Sequence, residues 1–388
     1  MIYVSGSVGS AFKLGVLDLK TGERRALVHG SRPDYSASGH IIYEESSGLR
    51  ALPFSLETLT ATGEDSPIVE AGGWPSVSRA GALVYTDTSL GGSRRIVVRD
   101  RSGDILRTVG DPLEAGQSPA ISPSGDFVAV GVQGDIWVYD LNRDLGTQLT
   151  SAQGSPVWLS SSRELSCYQR EADSPGKVVI QVADGSAEPR VLLEPEASRL
   201  FAAFDLSSDD RYLAYNAGPG SGDEDGGIWY HEIHSNGSVS EAMPFLLTPE
   251  NEGNARFSPD GRYLAYHSNE SGRFEIYVRP FPPGPGEWRI STAGGMQPTW
   301  SANGKEIFYV EDSTLMAVPI STEGAFRPGK PQRLFESGFL RGPPRRTNYD
   351  VFPDGQRFVT FAPHEDSAAA SLSIRVVQNW YEEFRDRE

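Results

Sequence analysis

Cysteine is nearly missing from this chain of 388 residues. Cys167 stands alone, and a single thiol permits no intrachain disulfide. Positive charge is short as well. With 35 Lys and Arg against 52 Asp and Glu the formal net charge is −17, which argues against a phosphate-backbone partner, so nucleic acid is not expected as a ligand. No stretch approaches the ~18 consecutive apolar residues of a membrane span, and no membrane insertion by this chain is expected. The opening Met1-Ile2-Tyr3-Val4-Ser5-Gly6 has neither the basic n-region nor the apolar h-region of a signal peptide. As written, the chain is expected to be mature, cytosolic or a piece of something longer, and the lone cysteine is compatible with either compartment. Long amphipathic helical patterns are also scarce. No Gly-x-Ser-x-Gly elbow, His-Arg-Asp or Asp-Phe-Gly occurs, which excludes a hydrolase or kinase domain of the usual kinds.

What is present is turn punctuation. The 42 glycines and 27 prolines exceed the usual ~12% of a globular chain, and they separate β-branched and aromatic runs of strand length. The chain is all-β by this reading. One phrase recurs: Phe257-Ser258-Pro259-Asp260-Gly261-Arg262-Tyr263-Leu264-Ala265-Tyr266, a strand, an Asp-Gly turn and a second strand. Near-copies begin at Ile121, Trp300 and Phe352, and degenerate copies begin at Tyr35, Val77, Trp158 and Leu206. The turn residues fall at 39, 81, 125, 162, 210, 261, 304 and 355, a mean spacing of about 45. A period of that length without a helical component is the pattern of propeller blades, each a four-stranded antiparallel sheet. The expected fold is therefore a single β-propeller domain over 1–388, with eight blades of four strands. Strands before the first anchor (2–4, 14–19, 24–28) and after the last (356–361, 372–377) are expected to close the ring, since an open ring leaves bare sheet edges. The two ends offer more strands than one blade holds, so one or two are expected to be displaced. Residues 378–386 read as a short helix burying Trp380 and Phe384 at i, i+4.

Ser258-Pro259-Asp260-Gly261-Arg262-Tyr263, followed by Ser268-Asn269-Glu270-Ser271-Gly272-Arg273 and Glu275-Ile276-Tyr277-Val278, resembles the WD40-like repeat of TolB-type β-propellers. Val278-Arg279-Pro280-Phe281-Pro282, Trp288 to Gly295, Asn348-Tyr349-Asp350-Val351 and Val376 to Trp380 extend the likeness. Together they resemble the C-terminal propeller region that follows the kinase domain and membrane segment in many bacterial receptor-like serine/threonine kinases. The resemblance spans nearly the whole chain and is strongest from about residue 110. It implies a non-catalytic recognition or sensor module, monomeric, with a protein, peptide or small-ligand partner, and it points to a place outside the cytoplasmic membrane. Departures from the pattern are Asp210 and Ser162 in glycine slots and His267 in a slot usually held by a smaller residue.

Candidate ligand contacts lie where the innermost strands enter the central channel: Arg32, Asp34, Trp74, Gln117, Asn254, Arg256, Gln297, Asn348 and Asp350. Each is read either as a ligand contact or as ordinary polar lining of a watery channel. No catalytic residue and no cofactor is assigned. Asp223 and Asp225, in the acidic loop 221–227, are read as calcium ligands or as part of a solvated turn. The alternative from another class is a metal-dependent lyase or hydrolase, which requires His267 or other histidines and carboxylates to converge in the channel. Residues 324–330 match a P-loop spacing, but Pro331 stands where the magnesium-ligating hydroxyl belongs, so the stretch reads as a loop.

Overall fold

The computed structural model describes residues 2–5, 13–45, 48–70, 72–87, 93–114, 116–149, 153–169, 176–194, 201–217, 227–342, 346–364 and 373–384. Its repeating unit is built from the turn outward. In Ser258-Pro259-Asp260-Gly261 the Gly261 N–H donates to the Ser258 carbonyl at 2.9 Å. The Ser258 hydroxyl donates to Asp260 Oδ1 at 2.6 Å and accepts from the Tyr263 N–H at 3.0 Å. Ser207 and Ser301 repeat the pattern with Asp209 and Asn303. The serine and the Asp or Asn thus hold the backbone between two strands in the manner of ST- and Asx-turns. Gly261 closes the turn at φ +68°, a conformation that costs a residue with a Cβ about 1–2 kcal/mol. Asp210 and Ser162 stand in the same slot and adopt it anyway, at φ +58° and +57°. Both keep the turn hydrogen bond, and both side chains reach a neighbouring sheet, Asp210 to the Ser160 N–H and Ser162 to the Ser124 N–H. All eight turns expected from the repeat are present.

The chain divides into two compact units, Ser93–Pro363 and the combination of Met1–Gly92 with His364–Glu388. Within Ser93–Pro363 five sheets follow the chain, each ordered from its innermost strand outward. Blade A is Gln117–Ile121, Phe127–Val132, Asp135–Asp140 and Leu145–Leu149; blade B is Gln153–Trp158, Glu164–Gln169, Lys177–Val182 and Arg190–Leu193. Blade C is Phe201–Leu206, Tyr212–Ala217, Gly227–Glu232 and Met243–Leu247; blade D is Glu252–Phe257, Tyr263–Ser268, Glu275–Pro280 and Trp288–Arg289. Blade E is Met296–Trp300, Glu306–Glu311 and Thr314–Ser321, with Arg327–Pro328 and Gln332–Glu336 both on its outer side. Blade F is composite. Asp350–Val351 and Phe358–Pro363 from the end of the unit pair with Arg94–Arg99 and Ile105–Leu113 from its beginning.

Side chains from the two faces of each sheet enter different cores, which explains strands that are apolar on both parities. In blade D, Leu264 and Tyr266 pack with Phe245 of blade C, whereas Ala265, Ile276 and Val278 pack with Ile307 and Tyr309 of blade E. The same division continues from F to A, A to B, B to C and E to F, six interfaces for six sheets. The unit is thus a closed β-propeller. Cys167 sits in the A–B core, where burial pushes its thiol up to about 12.

Among its described residues the other unit holds three sheets. Ile2–Ser5, Lys13–Leu17 and Arg24–His29 form the first, which are the three strands expected before the first anchor. Ser31–Ser36, His40–Glu45, Gly48–Ser55, Thr60–Ala61 and Ser66–Glu70 form the second, and Gly72–Val77, Leu83–Asp87 and Ser373–Val377 the third. The helix Trp380–Phe384 lays Trp380 into the core between the second and third sheets, with its Nε1 donating to Ser36 Oγ at 3.2 Å. Among the described residues no helix is long and apolar enough to cross a membrane.

The all-β propeller class is as expected, but the count and the closure differ from a single ring of eight. The ring of Ser93–Pro363 closes with six blades, and of the strands after anchor 81 Arg94–Arg99 and Ile105–Leu113 complete the blade of anchor 355. Ser373–Val377 then takes the vacated place beside Leu83–Asp87.

A Cβ at Gly261 would meet no atom within 4 Å, so Gly261→Ala isolates the cost of left-handed backbone. It is expected to lower stability by about 1 kcal/mol, read as a lower urea midpoint with an unchanged slope.

Candidate functional site

The innermost strands carry the candidates in two columns of the repeat. Five residues before each turn residue stand Asp34, Arg256 and Asp350; seven before it stand Arg32, Trp74, Asn254, Gln297 and Asn348. The second column is a backbone feature. Arg32, Trp74, Asn254 and Gln297 have φ of 50°, 54°, 46° and 59°, and Ser118, in the same slot beside Gln117, has 51°. The ladder shifts register at each of these points. A bulge re-aims the strand there, and left-handed backbone in bulky residues persists only where the surroundings over-determine it.

Gln297 illustrates the restraint. Fully buried, it accepts from the Asn348 N–H at 2.8 Å and donates to the Leu340 carbonyl at 3.2 Å, while Tyr349 Oη donates to its carbonyl at 2.8 Å. Asn348 Nδ2 donates to the Arg341 carbonyl at 2.8 Å. These two side chains tie blade E to the segment entering blade F. In the other unit the Arg32 guanidinium lies 3.7 Å over the Trp74 ring and 2.8 Å from Glu44, whose carboxylate also accepts the Trp74 N–H.

The first column does more. Asp34 accepts the Val77 N–H at 2.7 Å, and in Ser93–Pro363 Asp350 accepts the Ile121 N–H at 2.7 Å. Asp205 belongs to the same column and accepts the Phe257 N–H at 2.9 Å. Each carboxylate thus fastens its blade to the next. Asp205 was not among the residues singled out from sequence; its position five before Asp210 is the signal, hidden because that copy lacks the turn glycine.

In Ser93–Pro363 this column faces a cavity of about 420 Å³ at the turn end of the channel. Every blade contributes from its innermost strand: Ile121, Trp158, Asp205, Arg256, Trp300 and Asp350. The tryptophans are pinned by their indole N–H groups to the preceding blade, Trp158 to the Ala120 carbonyl at 3.0 Å and Trp300 to the Arg256 carbonyl at 3.2 Å. Arg256 pairs with Asp205 at 3.0 Å. Burial works against its charge, but Asp205 and Asp350 outweigh burial and raise its pKa. Asp205 is itself raised by burial, against the pull of Arg256. Asp350 is pushed up to about 6, first by burial, with Asp205 adding to the shift while Arg256 and the Ile121 and Val351 N–H groups oppose it. Among the described residues its two oxygens accept only those backbone donors. The cavity therefore presents apolar walls, one paired guanidinium and a second carboxyl with no cation of its own. Such a set can bind a group rich in hydrogen-bond donors or carrying positive charge.

The remaining expectations fall elsewhere. Asp223 and Asp225 lie outside the described residues, and the calcium reading rests on sequence alone. His267 is buried in blade D, 5.1 Å edge-on to Phe274, and burial lowers its pKa to about 3. Among the described residues no three His, Cys, Asp or Glu side chains gather as a metal site would require.

No protein-family model and no curated protein sequence matches the chain. Solved structures do. A TolB from Agrobacterium tumefaciens is 16% identical, with a TM-score of 0.54 over 70% of this chain and 99% of that one. TolB from Acinetobacter baumannii is 15% identical over 87% and 80% with a TM-score of 0.43, and hydrazine synthase of Kuenenia stuttgartiensis is 13% identical over 77% and 89% with 0.45. The likeness to the first supports a TolB-like β-propeller fold, and at such identities it speaks to fold alone.

Asp350 gives a pH signature. Between about pH 4 and 6 the folded protein holds a proton there that the unfolded chain has released. Stability from this group therefore falls as pH rises through that window. The stability difference between wild type and Asp350→Asn is expected to shift against wild type by up to about 3 kcal/mol from pH 4 to 7. Urea titrations at several pH values measure it; a constant difference would show that Asp350 titrates as an ordinary carboxyl.

Proposed function

We propose that Ser93–Pro363 is a non-catalytic recognition module that takes a protein, peptide or small ligand into the cavity at the turn end of its channel. The supporting observation is Asp350, a carboxyl held by backbone N–H groups in a cavity to which all six blades contribute, with the nearby guanidinium already committed to Asp205. Above about pH 6 it is an anion awaiting a donor, and an amine or guanidinium on the ligand meets that need in a partly desolvated setting, where charge-assisted hydrogen bonds are strongest. The serines around the cavity are occupied by turn duty: Ser207 and Ser258 donate to Asp209 and Asp260, and among the described residues no histidine or lysine lines the space to activate them.

The resemblance of residues 257–295 and 348–380 to the propeller region of bacterial receptor-like kinases supports a finer reading, in which the module is the sensor part of such a receptor and works outside the cytoplasmic membrane. Monomeric action fits a site completed by one chain.

A panel of short peptides with free amino termini, screened by thermal shift and then calorimetry, tests the proposal. Asp350→Asn is expected to weaken binding of any hit at least ten-fold at pH 7.5 while leaving the fold intact by circular dichroism. Equal affinity in both proteins would remove the ligand role of Asp350, and chemical conversion of a hit that depends on Asp350 would overturn the non-catalytic reading.

A further inference from the structure

The opposite end of the same ring gathers cations instead. Arg341 and Arg346 stand in the segment that leads into Asp350, in a chain where acids outnumber bases. Blade F pairs Arg94 with Pro363 and Asp350 with Val359, so the chain leading into Asp350 returns Arg346 to the end of the sheet where Arg94 stands. Arg94 is fixed. Its Nη1 donates to the Gly116 carbonyl at 3.0 Å, and its guanidinium lies 5.6 Å from the centroids of both the Phe339 and Phe361 rings. Its Nε is buried and meets no acceptor among the described residues.

Two arginines brought together in this way would ordinarily be compensated by a carboxylate. Among the described residues neither forms an ion pair, although 52 acidic residues were at hand in the sequence. Burial holds both guanidinium pKa values below the usual arginine range, and the charge of Arg346 adds to the effect on Arg94. Like charges sharing a partly desolvated place cost free energy, and a bound anion relieves both the desolvation and the repulsion.

We propose that Arg94 and Arg346 form an oxyanion-binding site, for a carboxylate or a phosphoryl group, at the end of blade F away from the turns. The planar forks of the two guanidinium groups suit the paired oxygens of such a group. The two aromatic rings orient Arg94 by cation–π contact, so little rotamer freedom remains to be lost on binding. The site is independent of the cavity around Asp350 and of any ligand read there.

The test is thermal unfolding of the full chain in chloride, inorganic phosphate and succinate at matched ionic strength, with calorimetry for affinity. Wild type is expected to show a saturable rise in melting temperature with phosphate or succinate beyond that in chloride. A rise with phosphate alone assigns the site to a phosphoryl group, and a rise with both assigns it to oxyanions generally. Arg346→Gln and Arg94→Gln are each expected to weaken binding at least ten-fold. In chloride, Arg346→Gln is expected to melt at or above the wild-type temperature, because it removes repulsion. Arg346 is only partly withdrawn from water, with much of its surface still exposed, so this variant keeps the test decisive if Arg94→Gln folds poorly. The absence of an oxyanion-specific rise in wild type, or an equal rise in Arg346→Gln, would overturn the proposal.

Discussion

Each sheet of Ser93–Pro363 is apolar on both faces, and that constraint decides the rest of its architecture. A two-faced sheet is stable only with a neighbour on each side, so a row of such sheets must close or leave apolar surface and a bare edge in water. Closure is achieved by blade F, whose inner pair comes from the end of the unit and whose outer pair comes from its beginning. The resulting seam places thirteen buried residues from blades F and A in one continuous core. Separating the two ends of the unit therefore exposes a hydrophobic core as well as breaking a ladder of hydrogen bonds.

Closing a ring brings the innermost strands together around an axis, where side chains have neither solvent nor sheet to satisfy them. The column five residues before the turns answers this by using carboxylates as connectors between blades. Asp205 and Asp350 each accept a backbone N–H from the following blade, which satisfies a donor on the inner edge of that sheet, where the alternation of the antiparallel ladder turns it away from the neighbouring strand. The cost is the burial of two carboxyl groups near one guanidinium. Arg256 pairs with Asp205, and Asp350 is left to titrate near pH 6. The structural role of the column and the binding character of the cavity thus have one origin, since the residues that fasten the blades are also those that charge the space between them.

This division explains what the sequence revealed. The turn chemistry is local: Ser258, Asp260, Gly261 and Tyr263 interact within six residues, so the phrase could be recognised wherever it recurred, including copies with Asp210 or Ser162 in the glycine slot. The all-β class and the eight turns were legible for that reason. Blade membership was not. Arg94–Arg99 and Ile105–Leu113 have the composition of any outer pair, and their partner is chosen by closure with a strand more than 250 residues away. Among the candidate residues, Arg256 and Asp350 do line the cavity, whereas Gln297 and Asn348 are occupied in tying blade E to blade F. Polar residues on neighbouring positions of one strand look alike in sequence, and only the bulge separates the pair that faces the cavity from the pair that carries the backbone.

The two ends of the ring differ in sign. Acidic groups gather at the turns, around Asp205, Asp210 and Asp350, and Arg94 and Arg346 stand at the other end of blade F. From Gly116, which holds Arg94, to Ala120 at the cavity is four residues of extended chain, about 13 Å at ~3.3 Å per residue. Packed protein screens less than salt water, so the charges at the two ends are kept apart mainly by that distance. Under the two proposals each end selects its ligand by its own local charge, although the net charge of −17 repels anions from the molecule as a whole. Under the same proposals an extended ligand that carries opposite charges at its two ends meets one favourable direction between the two sites and one unfavourable direction. Electrostatics of this kind fixes orientation more than it adds affinity, which suits a module whose apolar walls and tryptophans supply the contact area.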